Sequence, residues 1–271
     1  MPFDALFSSV KELETYILAA AFALARFAGM MTVMPLFARI RLTGLLRNGV
    51  AIALSIPVIP MIAGTLDGMT ATAPLMVVLM LKEFVIGATL GFVLGIPFWA
   101  AEAAGDIVDL QRGSTMGALI DPMMTHETSA TGTFFALVMM VLFVAAGGFG
   151  LMVSTVYDSY DLWPIDRLFP IFSPQAAEVF LMLLNRVLMM ALVLVFPLVM
   201  GLLLSDVLLA LLARASPHLN VFALSLVLKT LVFSLILVLY ASFLVFYMGR
   251  DLSFLSRVQE YIADIACLNC G

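Results

Sequence analysis

The chain has 271 residues, of which 63% are hydrophobic and 11% are charged, and its formal net charge is −5. A soluble globular domain carries about 25% charged residues, so this composition excludes that class and predicts an integral membrane protein. The basic residues are scattered, which argues against nucleic acid as a partner and against a polybasic patch for lipid headgroups. Partners are therefore expected within the membrane.

Transmembrane helices are predicted wherever about 20 apolar residues follow one another. The N-terminal residues are acidic rather than basic, so no cleaved signal peptide is expected before the first run. Several runs contain prolines, which predict kinks. The predicted fold is an all-α, single membrane domain over residues 1–271, with a short C-terminal tail over 249–271. Its six long apolar helices are predicted over residues 15–37, 49–63, 74–104, 131–151, 178–213 and 219–248.

Three glycines four residues apart, Gly87, Gly91 and Gly95, lie on one face of the third predicted helix. Without side chains, this face lets another helix backbone come very close. Packing of some kind is predicted, either within this chain or against a neighbouring subunit, and the second alternative is slightly favoured.

A polar, glycine-broken segment follows that helix, over residues 105–130. Polar backbone at membrane depth is tolerated where it is buried in protein or lines a wet cavity. Gly113 and Gly117 allow a tight loop to fold into a narrow lumen. The alternative is a solvent-exposed loop stabilised by Asp109 and Arg112, which are one helical turn apart.

Five charged residues lie inside the predicted apolar helices, and each costs a few kcal/mol if it is stranded near the bilayer centre. Each is therefore expected to have a partner or water. Structural pairing is preferred to a proton relay, because the carboxylates are far apart in sequence. These residues are Lys82, Glu83, Arg186, Asp206 and Lys229.

No catalytic or metal site is predicted. The chain has two histidines and lacks G-x-S-x-G, H-E-x-x-H and P-loop motifs, so neither a nucleophile with its base nor a metal site can be assembled convincingly. Cys267 and Cys270 form a C-x-x-C pair at the end of the chain without a second pair, so a four-cysteine zinc site cannot form within one chain. No enzyme activity and no cofactor is expected.

The sequence contains four blocks that point to one family, of which the second is KEFVIGATLGF and the third is AGDIVDLQRGSTMGALIDP. In this order the four blocks resemble the FliR/SctT family, the export-gate proteins of bacterial flagella and type III secretion injectisomes. Arg112 between Gln111 and Gly113 is similar to the injectisome pattern, because flagellar members tend to have a hydrophobic residue there. The flagellar proline near Thr43 is absent. The blocks cover residues 24–60, 82–92, 104–122 and 196–231.

The resemblance implies a multi-pass subunit of a hetero-oligomeric export gate in the bacterial inner membrane. This gate would form and seal a channel for unfolded secreted proteins. Implied partners are two smaller export-apparatus membrane proteins in multiple copies, and export-gate and switch proteins of the same secretion system. In this family the segment after the third helix enters the lumen as part of a plug. Carried over by position, this plug segment comprises Asp109, Gln111, Arg112, Gly113, Ser114, Thr115, Met116 and Gly117.

Two alternatives to an injectisome subunit remain. A flagellar export-gate subunit would share the same blocks. A small-molecule or ion transporter of six helices would place broken helices around a site at the middle of the membrane. That reading predicts internal repeats, and none is evident between the halves of the chain.

Overall fold

The computed structural model describes residues 2–39, 44–66, 72–114, 129–167, 173–216 and 220–266. Every regular element in these ranges is helical. Short 3-10 turns cover Ile56–Val58 and Leu252–Arg257. The α-helices are α1 (Pro2–Val33), α2 (Pro35–Arg39), α3 (Gly44–Ser55), α4 (Ile59–Leu66), α5 (Ala73–Arg112), α6 (Ala130–Ala145), α7 (Gly148–Leu162), α8 (Ala176–Ala215), α9 (Val221–Asp251) and α10 (Val258–Ala266).

The helices are long and apolar enough to make this a multi-pass membrane protein. Within the described ranges, five helical stretches have the length and composition of a membrane span, or six if the bent pair α6 and α7 counts as one. The predicted all-α membrane fold with about six apolar helices is therefore confirmed.

Helices α1 and α5 extend well beyond their predicted ends. Helix α1 begins at Pro2 rather than near Thr15, so the acidic N-terminal residues are helical although they are not apolar. Helix α5 runs to Arg112 and not only to residue 104, so the first residues of the predicted polar segment, 105–112, are helical. The physical reason is that Asp109 bonds to another helix, and polarity at this position does not mark the end of α5.

The predicted fourth helix is also two helices. Gly147 adopts a left-handed conformation with φ of 77°, which glycine accommodates easily, and α6 and α7 meet there at a bend of 75°. The expected C-terminal tail is partly helical, since α10 covers Val258–Ala266. The second predicted helix, 49–63, is interrupted by the 3-10 turn that contains Pro57, in agreement with a kink at proline.

The described chain divides into two compact units. The first unit comprises Met1–Gly95, Gly147–Leu183 and Leu255–Gly271. In it α1 packs against α3 and α4, and α10 packs against α7. Its core includes fully buried Phe22, Phe27 and Met30.

The second unit comprises Ile96–Ala146 and Leu184–Phe254. In it α9 packs against α6, and the rings of Phe98 and Phe143 meet edge to face with their centroids 5.2 Å apart. Much of the surface of α9 is exposed and apolar, as a neighbouring lipid or protein subunit would require. The plug segment begins in this unit.

Candidate functional site

Helix α5 ends in a Schellman motif at the start of the plug segment. Gly113 has φ of 78°, the left-handed conformation that commonly follows the last helical residue. The Ser114 amide donates to the Asp109 carbonyl and the Gly113 amide donates to the Leu110 carbonyl, both over 3.1 Å. The sequence therefore fixes the direction in which the chain leaves α5.

The Asp109 carboxylate accepts four hydrogen bonds from two helix ends. Oδ1 accepts from Arg112 at 2.8 Å and from the Thr131 hydroxyl at 2.6 Å. Oδ2 accepts from the Ser129 hydroxyl at 2.7 Å and from the Thr131 amide at 3.0 Å. These four donors fill the acceptor positions of a carboxylate.

Ser129 and Thr131 lie at the beginning of α6. The Ser129 hydroxyl also accepts from the Gly132 amide at 2.8 Å, so it is the N-cap of that helix. Asp109 adds a negative charge at the same helix N-terminus, where the macrodipole favours it. Ser129 precedes an apolar run, which is a recognisable capping signal, but its bond to Asp109 could not be read from the sequence.

A close contact of two glycines supports this junction one helical turn earlier. A Cβ atom added to Gly105 would meet the backbone of Gly132 and Thr131. Helices α5 and α6 therefore approach closely at this point. Neither Gly105 nor Gly132 is part of a glycine repeat, so this contact could not be predicted from the sequence.

Gln111 and Arg112 contact the helices α8 and α9. Lys229 donates to the Gln111 carbonyl over 3.1 Å and lies 2.7 Å from Asp206. The Gln111 side-chain amide donates to Asp206 over 3.4 Å, and the Arg112 guanidinium lies 4.7 Å from the centre of the Phe233 ring. The charged residues Asp206 and Lys229, predicted to have partners, thus meet each other.

These groups differ in exposure. The Asp109 side chain is only 2% exposed, whereas that of Asp206 is 38% exposed, and those of Arg112 and Lys229 are each 15% exposed. Together, these side chains form a polar patch on the second unit, which comprises Gln111, Arg112, Asp206 and Lys229. Thr115, Met116 and Gly117 of the plug segment lie outside the described residues.

The glycine face of α5 lies in the first unit and packs against α1. A Cβ atom on Gly87 would meet the Arg26 carbonyl, and one on Gly91 would come within 2.5 Å of the Met30 carbonyl oxygen. From the other side, a Cβ atom on Gly29 would meet the Phe84 carbonyl. The close neighbour at Gly87 and Gly91 is therefore a helix of the same chain and not another subunit, which was the slightly favoured prediction. Gly95 is buried.

The first unit also holds a buried ionic cluster formed by Arg26, Lys82 and Glu83. Arg26 Nε donates to Glu83 Oε2 over 2.6 Å, and Lys82 Nζ lies 2.9 Å from Glu83 Oε1. The side chains of Arg26 and Glu83 are 0% exposed and that of Lys82 is 3% exposed. Two cations thus surround one carboxylate.

Backbone oxygens and one hydroxyl complete this cluster. Arg26 donates to the Ser159 hydroxyl and the Trp163 carbonyl, each over 2.8 Å. Lys82 donates three hydrogen bonds of 3.0–3.1 Å to carbonyls of the turn after α7, those of Pro164, Ile165 and Arg167. The cluster therefore joins α1 and α5 to the end of α7, where the helix dipole favours positive charge.

The fifth predicted intramembrane charge, Arg186, lies in the second unit, with its guanidinium 5.1 Å from the centre of the Phe254 ring. In the part of the chain that the structure describes, no group of three or more His, Cys, Asp or Glu side chains is placed to hold a metal ion. Cys267 and Cys270 lie outside that part.

Residues 17–254 match the model of a family described as bacterial export proteins, family 1. The chain belongs to this family. It is 36% identical over 225 residues to the Yop proteins translocation protein T of Yersinia pestis, an alignment that covers 83% of this chain and 86% of the relative. It is 35% identical over 232 residues to the surface presentation of antigens protein SpaR of Salmonella typhimurium, with 85% and 86% covered.

A flagellar relative is more distant. The flagellar biosynthetic protein FliR of Bacillus subtilis is 28% identical over 162 residues, which are 59% of this chain and 62% of that protein. The resemblance to the FliR/SctT family is therefore confirmed, and within this family of export proteins the injectisome branch is favoured over the flagellar one.

Proposed function

We propose that this chain is a subunit of a type III secretion export gate and helps to form and seal the channel through which unfolded proteins leave the cytoplasm. Two relatives with at least 35% identity support this function, since their names refer to translocation and to surface presentation of antigens. The chain would lie in the bacterial inner membrane, and its role would be structural rather than enzymatic. The flagellar alternative has weaker support, from a relative aligned over 59% of the chain.

The observation that carries the sealing role is the polar patch. Asp206 is flanked along α8 by exposed Leu204, Val207 and Leu208, so a partly exposed carboxylate lies in an otherwise apolar helix surface. A charge within a membrane span requires water or polar protein nearby. Lys229 and Gln111 bind Asp206 on one side. A channel lumen lined by the patch would supply water to the exposed part of the carboxylate, which lipid cannot do. Gln111 and Arg112 would then be the lumen residues of the plug segment.

The proposed partners follow from the exposed apolar surface and from the family. Two smaller export-apparatus membrane proteins, each in several copies, would cover the exposed faces of α8 and α9. Export-gate and switch proteins of the same secretion system would contact the assembly, and unfolded substrates would pass through it. Lipid would contact the remaining apolar surface.

Assembly is tested first by extracting the tagged chain from membranes of its own host in mild detergent. We expect it to co-purify with smaller hydrophobic proteins in one large complex, because the surface of α9 needs neighbours. Native mass spectrometry then reports the identity and copy number of these partners. A chain that runs alone or as a homo-oligomer would instead favour the six-helix transporter.

Sealing is tested by deleting residues 111–116 in the assembled complex. Loss of this segment is expected to raise the resting ion conductance of the membrane and to slow growth of the cells, because it removes both lumen residues of the polar patch. The yield of complex on a native gel serves as the control for assembly. Unchanged conductance at normal complex yield would argue against a sealing role.

A further inference from the structure

Asp109 belongs to the plug segment by sequence position, yet its side chain is 2% exposed and so cannot line an open lumen. Gln111 and Arg112, which follow Asp109 along the chain, belong instead to the partly exposed polar patch. The two oxygens of Asp109 bind groups from two separate stretches, Arg112 on one side and the start of α6 on the other. Asp109 therefore connects the end of α5 to the start of α6 and does not face the channel.

We propose that Asp109 is the positioning residue of the seal and holds residues 111–114 in register with the first turn of α6. This inference rests on the proposed sealing role of the plug segment. The backbone carbonyl of Asp109 holds Ser114 in place, because the amide and the hydroxyl of Ser114 both donate to this carbonyl over 3.1 Å. Its carboxylate fixes Ser129 and Thr131. One residue thus sets where the chain leaves α5 and where it enters α6.

Two of the four donors to the Asp109 carboxylate cannot become hydrogen-bond acceptors. The Thr131 amide on Oδ2 and the Arg112 guanidinium on Oδ1 carry fixed N–H groups, whereas the hydroxyls of Ser129 and Thr131 can rotate. An asparagine at position 109 would direct its NH2 group at one of these two donors in either orientation of the amide. The substitution D109N therefore breaks the junction while it preserves the size of the side chain.

A pair of variants at position 131 changes one hydrogen-bond donor and leaves the Asp109 carboxylate in place. T131V removes the hydroxyl that donates to Oδ1 over 2.6 Å, and T131S retains it. Both keep the backbone amide bond to Oδ2. Leakage in T131V but not in T131S would therefore follow from the lost hydrogen bond and not from altered size, because Val is the closer match to Thr in shape.

The experiment compares the wild-type complex, D109N, T131V, T131S and the deletion of residues 111–116. For D109N we expect normal complex yield, raised resting conductance, and hydrogen exchange of the Thr131 and Gly132 amides faster by about tenfold or more, because hydrogen bonds to a charged group are strong. A purely structural role would instead lower complex yield and secretion together in both D109N and T131V, without a leak in T131V. T131V is expected to show a smaller leak, and T131S none.

The outcomes separate the two proposals. If the deletion does not leak, the sealing role fails and the inference fails with it. If the deletion leaks while D109N stays tight with unchanged exchange, the sealing role stands and the positioning role of Asp109 is overturned. Should D109N fail to assemble, the Thr131 variants decide: a leak confined to T131V supports the proposal, and equal behaviour of T131V and T131S overturns it.

Discussion

Replacing Glu83 with glutamine is expected to lower the free energy of unfolding by about 3–5 kcal/mol, the usual cost of removing one partner from a buried ion pair. Glu83 is the carboxylate of a cluster in which Arg26 and Lys82 lie within 2.6 and 2.9 Å of its oxygens. All three side chains are at most 3% exposed, so E83Q would leave two adjacent buried cations without the anion between them. Thermal unfolding of the purified protein in detergent, followed by size-exclusion chromatography, measures the loss.

The matched control for this change is E12Q. Glu12 lies in the same helix as Arg26 but is exposed, so the same chemical substitution there is expected to change stability by about 0.5 kcal/mol or less. The double variant R26Q/E83Q is expected to lose less than the sum of its single variants, because it removes one of the two stranded cations. If E83Q unfolded at the same temperature as E12Q, the ionic cluster would not contribute to stability as expected.

Replacing Gly87 with alanine is the second change expected to have a large effect. The added Cβ atom would meet the Arg26 carbonyl oxygen and lie 2.8 Å from its carbon, and both are backbone atoms that cannot rotate away. Helices α1 and α5 must then separate, which costs about 1–3 kcal/mol or more and also moves Arg26 away from Glu83. The yield of folded chain in detergent and its melting temperature should both fall.

Gly49 provides the control for this second change. It is exposed in α3, and a Cβ atom added there would meet no heavy atom within 4 Å. G49A is therefore expected to stabilise the chain by about 0.5–1 kcal/mol, because alanine is the better helix former. Opposite signs for G87A and G49A would support close packing of α1 on α5, and equal effects would contradict it.

The positions of the helices could be predicted from apolar runs, but several of their ends could not. Helix α5 continues to Arg112 because Asp109 is bonded to α6, and such a contact leaves no trace in local composition. Helix α7 continues to Leu162, beyond the predicted end at residue 151, although it contains polar Ser159 and Asp161, and Ser159 accepts a hydrogen bond from buried Arg26. Polar residues that bond inside the protein thus concealed helical structure.

The candidate site was predictable to the extent that its contacts are local. Asp109 and Arg112 are three residues apart in a helix, and their ion pair follows from that spacing. Thr131 lies 22 residues from Asp109, and Lys229 lies 118 residues from Gln111, so their contacts depend on how the chain folds back. Likewise, the sequence required a partner for Glu83 but did not identify Arg26.

Lys82 makes its three hydrogen bonds to main-chain carbonyls, those of Pro164, Ile165 and Arg167. An attachment to the main chain does not depend on which side chains the attached turn carries. The contacts of Lys82 themselves therefore do not restrict which side chains stand at these positions, as long as the turn keeps its shape, although Ile165 is also held by its own burial. Variation there would leave the anchoring of helix α7 intact, provided that a lysine remains in the membrane helix beneath it.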